Sequence, residues 1–237
     1  MKMVYNWINI IQDYLLPPTC ILCGNPGYDS RDICTCCYQH LPKNNQCCYR
    51  CAALLEMPPN APTLCGRCLS GQPAFDETYA SFIHQGAIRH LINNLKFNAH
   101  YKNARLLGLL LADHLKQSAE LPDLIIPVPL HKARYRERGF NQAIEIARTV
   151  SKELHIPLDL GSCSRHRDTL HQTQLSAKKR RKNLKNAFSV IKPIHARHVA
   201  ILDDVMTTGS TVHELASVLK KNGVSRVDVW VCARAIN

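Results

Sequence analysis

The sequence predicts an α/β protein with a mostly parallel, Rossmann-like sheet and a small metal-held module at its N-terminal end. Three observations carry this expectation. Val199, Ala200, Ile201 and Leu202 form an uninterrupted apolar run that ends on two acids, Asp203 and Asp204, as a strand buried on both faces does. Similar short apolar runs alternate with helix-period segments through residues 75–237, the order of βαβ units. Four C-x-x-C pairs crowd into residues 20–68.

In chain order, Val4, Trp7, Ile8, Ile11 and Leu15 share one helical face before Pro17-Pro18, so residues 1–18 are expected as a helix docking on the protein's own surface. Asn6, Asn9, Gln12 and Asp13 interrupt it, which argues against a secretory signal, and no run reaches membrane-spanning length. The expected compartment is cytoplasmic. Residues 19–72 follow as a cysteine module: Cys20/Cys23, Cys34/Cys37, Cys48/Cys51 and Cys65/Cys68. Each pair makes a knuckle, and two knuckles supply the four thiolates of a structural Zn²⁺, so eight ligands imply two ions. A disulfide cluster, the competing reading, needs an oxidising compartment. Which pairs share an ion is open, and Cys36 and Cys47 allow a shifted register. Little apolar sequence lies between the pairs, so metal is expected to hold the segment together. The module resembles a double zinc ribbon.

Residues 73–237 are expected as the α/β domain. A strand is predicted over 75–83, then a helix through Ile88, Leu91, Ile92 and Leu95 that leads to Lys96-Phe97, and a leucine-rich helix over 103–115. The strand Leu124, Ile125, Ile126, Pro127, Val128 closes on Pro129, Leu130, His131 and Lys132. Arg134, Arg136 and Arg138 come next, then Gly139-Phe140-Asn141-Gln142 and a helix with Ala143, Ala147, Val150 and Leu154 on one face. A strand is predicted over 158–163. After the acid-tipped strand, Val212, Leu215, Ala216 and Leu219 mark a helix that Gly223 caps, and Val227, Val229 and Val231 alternate in a last strand. Cys163 and Cys232 read as buried thiols.

Charge is unevenly placed. Residues 1–74 hold five Lys/Arg against four Asp/Glu, which leaves 25 against 14 for the rest of a chain of net charge +12. The densest stretch, 165–198, has ten Lys/Arg, one acid (Asp168) and four histidines, His166, His171, His195 and His198. Lys178, Lys179, Arg180, Arg181, Lys182 and Lys185 are spaced for a nucleic-acid backbone, which they would hold by releasing its counterions. Tyr135 and Phe188 are candidates for base stacking, although a Phe beside a strand is more often core.

Between the acids and the following helix lie Thr207, Thr208, Gly209, Ser210 and Thr211. Unpaired amides at a helix N-terminus and the helix dipole hold phosphate, hydroxyls add donors, and carboxylates suit sugar hydroxyls or Mg²⁺. A ligand with both a phosphate and a diol fits. An acidic strand end is also the Walker B pattern, but the chain lacks G-x-x-x-x-G-K-[ST]. The stretch resembles the phosphoribosyl-pyrophosphate (PRPP) loop of type I phosphoribosyltransferases. That resemblance implies that Asp203 and Asp204 contact the ribose and that Thr207, Thr208, Gly209, Ser210 and Thr211 cradle the 5′-phosphate. It also implies that Leu130, His131 and Lys132 form the pyrophosphate loop, and that Arg165, Arg167 and Arg180 lie on a flexible segment closing over it. The expectation requires an open cup above the two acids, with neither carboxylate taken up by a neighbouring cation.

Together with the cysteine pairs, Arg138-Gly139-Phe140-Asn141-Gln142 and the basic segment with Thr169, Gln172, Leu175, Arg180 and Asn183, the loop resembles the ComF family, the competence protein F and GntX-like group. The resemblance spans residues 20–234. It implies a type I phosphoribosyltransferase-like domain with structural zinc, Mg²⁺ arriving with PRPP, and a cytoplasmic protein of natural transformation that handles incoming single-stranded DNA. Its implied partners are a ComFA-type translocase and recombination-loading proteins. The alternatives are an active phosphoribosyltransferase on an unidentified acceptor and a zinc-held adaptor with an inert transferase-like domain. No hood that would select a nucleobase is identifiable.

Overall fold

The computed structural model describes residues 17–56, 63–167 and 186–236. Residues 1–16 of the helix expected over 1–18, together with Thr169, Gln172, Leu175, Lys178, Lys179, Arg180, Arg181, Lys182, Asn183 and Lys185, lie outside the described residues. Two compact units emerge, Met1–Pro42 and Lys43–Asn237.

In the first unit, tight turns bring two knuckles together. The Gly24 amide donates to the Cys20 carbonyl at 2.9 Å. One short helix, α1 (Thr35–Gln39), begins on Cys34, whose Sγ accepts from the Cys37 amide at 3.4 Å.

The second unit runs through α2 (Gly66–Ser70), β1 (Glu77–Ile83), α3 (Gly86–Asn98), α4 (Tyr101–Ser118), β2 (Leu124–Pro127), α5 (Lys132–Arg138) and α6 (Gln142–Leu154). It continues with β3 (Cys163–Arg165), β4 (Phe188–Val190), β5 (His198–Met206), α7 (Ser210–Lys221) and β6 (Arg226–Arg234). Four strands form a sheet in the order β1-β6-β5-β2, every pairing parallel. The expected parallel α/β architecture is therefore present, with the apolar runs of β5 and β6 at its centre, where burial on both faces demands them. Helix α7 packs against β4, β5 and β6, while α4 contacts β1 and β6 and α6 contacts β2 and β5. Where α4 meets α6 only a glycine fits, because a Cβ on Gly108 would stand 2.6 Å from Thr149 Cβ.

Several elements depart from the sequence expectation. The leucine-rich helix is longer, Tyr101–Ser118. The basic run after Pro129 folds into α5, which His131 caps and Gly139 ends at φ +80°. The strand predicted over 158–163 reduces to a single bridge from Leu158 to Ile125. Asp159 explains this: Oδ1 accepts the amides of Gly161 at 2.8 Å and Ser162 at 2.9 Å, and that turn ends strand pairing. Cys163–Arg165 then pairs antiparallel with Phe188–Val190.

The free edge of β1 is covered by residues 43–50. The Asn44 amide donates to the Ser81 carbonyl at 3.1 Å, the Thr78 amide donates to the Tyr49 carbonyl at 3.1 Å, and Thr78 Oγ1 donates to the Arg50 carbonyl at 2.7 Å. Cys48, Cys51, Ala52 and Cys68 share a hydrophobic cluster with Met206, Val212 and Leu215. The second half of the cysteine module is thus continuous with the core that supports β5 and α7.

Candidate functional site

Strand β5 carries both acids within its length and delivers the chain to residues 207–209 at the carboxyl edge of the sheet, where open α/β sheets bind ligands. Gly209 sits at φ +77° as the N-cap of α7, a left-handed conformation that favours glycine. Thr208 Oγ1 and Ser210 Oγ are 2.9 Å apart, and the Ser210 amide points at Thr208 Oγ1 at 3.4 Å. The loop therefore gathers two hydroxyls and a helix N-terminus around one position, while Thr207 is exposed.

The two acids differ sharply. Asp204 is only 3% exposed; its Oδ2 pairs with Lys96 Nζ, and its Oδ1 accepts from Gln142 Nε2 at 3.2 Å. Gln142 in turn accepts from Arg138 Nη1 at 2.6 Å. Burial alone would raise the Asp204 pKa, but the Lys96 ammonium more than offsets it and holds the carboxyl below its ordinary value. Asp203 is half-buried, and its Oδ1 accepts the Asp204 amide at 2.9 Å. Burial, then the neighbouring Asp204 charge, pushes its pKa up to about 8. The expectation of two unengaged carboxylates thus narrows to Asp203.

A pH dependence follows from that shift. Between the unfolded carboxyl pKa of about 3.9 and the folded value near 8, the native chain keeps a proton on Asp203 that the unfolded chain has lost. Stability should fall as pH rises through this window, by at most about 1.4 kcal/mol per unit from this group. Urea midpoints for Asp203→Asn are expected to lack the part of the slope that the wild type shows between pH 5 and 8.

Lys96 and Arg234 carry site roles that sequence reasoning missed. Lys96 reads as an ordinary basic residue near a helix C-terminus, and nothing local links it to Asp204 more than a hundred positions on. Gln142 did lie within a segment singled out for its order. Arg234 ends β6 with 2% exposure, and a charged residue inside an apolar strand was the available signal. Its Nε donates to the Cys51 carbonyl at 2.9 Å, and its Nη1 donates to the carbonyls of Met206 at 3.0 Å, Ala235 at 2.8 Å and Thr207. Arg67 Nη2 reaches the Thr208 carbonyl at 3.4 Å, and the Ala74 amide donates to His213 Nδ1 at 3.0 Å. The cysteine knuckle and the hydroxyl loop are therefore held by the same guanidinium.

Leu130, Lys132 and Arg165 surround a cavity of about 200 Å³ beside the carboxyl end of β2, together with Pro129, Tyr135 and Cys163. Neither acid nor any of Thr207, Thr208, Gly209, Ser210 and Thr211 lines it. His131 caps α5, its Nδ1 accepting the Ala133 amide at 3.3 Å, and Arg167 is exposed. Phe188 is 5% exposed and belongs to the core, which removes it as a stacking residue, whereas Tyr135 is exposed. Cys232 is fully buried, but Cys163 is only half-buried, and burial pushes its thiol pKa up to about 12.

The cysteines resolve into two sets, Cys20, Cys23, Cys34, Cys37 and Cys48, Cys51, Cys65, Cys68, with each set's sulfurs within 4.8 Å of one another. Neighbouring pairs thus share a centre, and Cys36 and Cys47 stand outside. Sulfurs at 3.6 Å, as in Cys23–Cys34 and Cys51–Cys65, match the roughly 3.8 Å edge of a tetrahedron with Zn–S near 2.3 Å. Both sets fit structural Zn²⁺. Mg²⁺ fits Asp204 poorly, because Lys96 and Gln142 already engage its two oxygens.

Fold and site define a class: a parallel α/β domain with a hydroxyl-bearing loop between strand and helix at its carboxyl edge, joined to a zinc-ribbon module. The double zinc ribbon domain family matches residues 11–69. The DNA utilization protein YhgH of Escherichia coli O157:H7 is 37% identical over 230 residues, 93% of this chain and 99% of the relative. Competence protein F of Haemophilus influenzae is 36% identical over 225 residues, 91% and 96% of the two chains. The chain belongs to the ComF family. Among solved structures, the glutamine PRPP amidotransferase of Bacillus subtilis aligns with a TM-score of 0.37 and 23% identity, over 54% of this chain and 25% of that one. The purine phosphoribosyltransferase of Pyrococcus horikoshii aligns at 0.34 and 22%, over 56% and 73%. No helix among the described residues is long and apolar enough to cross a membrane.

Proposed function

We propose that this chain is a competence factor that binds PRPP at the carboxyl edge of its sheet and associates with incoming single-stranded DNA in the cytoplasm. The observation that carries the PRPP reading is the loop opening α7, with two hydroxyls 2.9 Å apart beside a glycine N-cap and Asp203 in the carboxyl-terminal half of β5. On this reading the loop amides and hydroxyls take the 5′-phosphate and Asp203 takes the ribose diol. Asp204 acts through its neighbours, as a buried anchor for Lys96 and Gln142. Mg²⁺ would come with the ligand's pyrophosphate. The names of the relatives, competence protein F and DNA utilization protein, support the DNA arm, as does the basic excess of the α/β domain. A ComFA-type translocase and recombination-loading proteins are its proposed partners.

Calorimetric titration with PRPP and Mg²⁺ tests the first arm. The wild type is expected to bind, and Asp203→Asn to lose about 2- to 10-fold near neutral pH, the worth of a hydrogen bond from a neutral carboxyl, and more above about pH 8 where Asp203 is ionised. Absence of heat with the wild-type protein would remove the PRPP reading. For the DNA arm, affinity for an oligonucleotide should fall steeply with salt; affinity indifferent to salt, or no binding, would count against it. A second reading, phosphoribosyl transfer to an acceptor, draws on the cavity beside Leu130, Lys132 and Arg165. Pyrophosphate release in the presence of an acceptor pool would distinguish transfer from binding alone.

A further inference from the structure

The junction of α3 and α4 exposes two aromatic rings beside the acid site. Phe97 is 73% exposed and Tyr101 is 51% exposed. Asn98, Ala99, His100 and Lys102, between and just after them, are exposed too. Both rings are held from below by the turn that follows α5. The Arg138 guanidinium lies 5.8 Å from the Phe97 ring centroid, and the Phe140 ring lies 5.0 Å from that of Tyr101 at an interplanar angle of 53°. The same Arg138 donates to Gln142, which donates to Asp204. A continuous path thus leads from the buried carboxylate to an aromatic shelf. The bland account, two scattered surface hydrophobics, does not explain why each ring has a fixed partner underneath and an open side above.

The charge around the shelf selects its occupant. Residues 86–105 contain four cations and no acid; Lys96 is taken up by Asp204, and Arg89, Lys102 and Arg105 are all exposed. An apolar protein partner would gain little from this, and cations around exposed aromatic faces are the arrangement that binds phosphates and stacks bases. We infer that Phe97 and Tyr101 form a base-stacking platform for single-stranded DNA, with Lys102 and neighbouring cations on the phosphates. This rests on the single-strand reading above and locates it on described residues outside the lysine- and arginine-rich segment. Base contact here is sequence-tolerant, because every base presents a π-face.

Fluorescence anisotropy with the full-length, zinc-loaded chain separates the outcomes. The probes are a labelled thymidine 20-mer and a strand of equal length carrying abasic sites. Phe97→Ala is expected to weaken the thymidine strand by about 5- to 150-fold, the range for losing one stacked base. Binding to the abasic strand should not change, and Phe97→Trp should restore affinity. Lys102→Ala should weaken both strands alike and reduce the salt slope by about one. Because Phe97 is exposed, its removal should leave the thermal midpoint and PRPP binding as in the wild type. Equal wild-type affinity for both strands, or Phe97→Ala binding the thymidine strand as the wild type does, would overturn the platform while leaving the single-strand reading standing. A wild-type chain that binds neither strand would remove both.

Discussion

Arg234→Met is expected to destabilise the α/β unit by about 3–5 kcal/mol and to abolish anion binding at the loop. The guanidinium is 2% exposed and donates to the carbonyls of Cys51, Met206, Thr207 and Ala235. Methionine fills much of the space but removes the guanidinium donor from the Cys51, Thr207 and Ala235 carbonyls, while Met206 keeps the Ala235 amide at 3.0 Å; the cost is about 1–3 kcal/mol for each acceptor that water cannot reach. Arg234→Lys keeps the charge but lacks the planar fork that reaches several carbonyls at once, so rescue should be partial. Metal removal should act through the same contacts. Four thiolates on one Zn²⁺ leave about two net negative charges, and Arg234 lies close enough to Cys51 and Cys65 to feel them. Stripping zinc from Cys48, Cys51, Cys65 and Cys68 is therefore expected to release the Cys51 carbonyl and slacken the loop. By reciprocity, phosphate at the loop should raise the equilibrium zinc affinity measured against a chelator. Urea melts, zinc content and phosphate affinity measured on the same samples check each link. Unchanged affinity in a zinc-free or Arg234→Met protein that remains folded would break the connection.

The second large effect is at Lys96. Lys96→Met leaves the Asp204 carboxylate, 3% exposed, with the uncharged Gln142 amide and its neighbour Asp203 in place of a cation. Removing one partner of a buried ion pair typically costs about 3–5 kcal/mol near neutral pH. The double variant Lys96→Met/Asp204→Asn should recover most of this loss, and the double-mutant cycle measures the coupling. The pH response should also change sign. In the wild type the depressed Asp204 pKa contributes stability that is present above about pH 3.9 and lost as pH falls through the folded value. Without the ammonium, burial outweighs the remaining hydrogen bonds from Gln142 and Asp203 and raises the pKa, so the group's contribution is lost as pH rises instead. Retention of the wild-type pH profile in Lys96→Met would show that the pair is not coupled.

Much of the architecture was legible because its signals are local. The buried strands β5 and β6 are written as apolar runs, and α6 and α7 as apolar faces with caps at Asn141 and Gly209. The strand expected over 158–163 failed because Asp159 closes an Asx-type turn that apolar periodicity does not register. The eight metal ligands were legible from one repeated spacing, yet their grouping was not. Every pair has the same spacing, and only the turns of the folded chain bring Cys34/Cys37 to Cys20/Cys23 and Cys65/Cys68 to Cys48/Cys51.

By itself, the sequence determined the parallel α/β class, the zinc ligands and the place of the acid-tipped loop, because periodicity, spacing and capping act between residues close in the chain. Tertiary structure alone decided that Asp204 faces Lys96 while Asp203 stays half-buried without that cation, that Arg234 ties the second zinc knuckle to the loop, and that Phe97 and Tyr101 are exposed. Those pairings join residues about 27 to 183 positions apart. Only the packing of the sheet, which places the ends of β1, β5 and β6 side by side, determines which charges meet there.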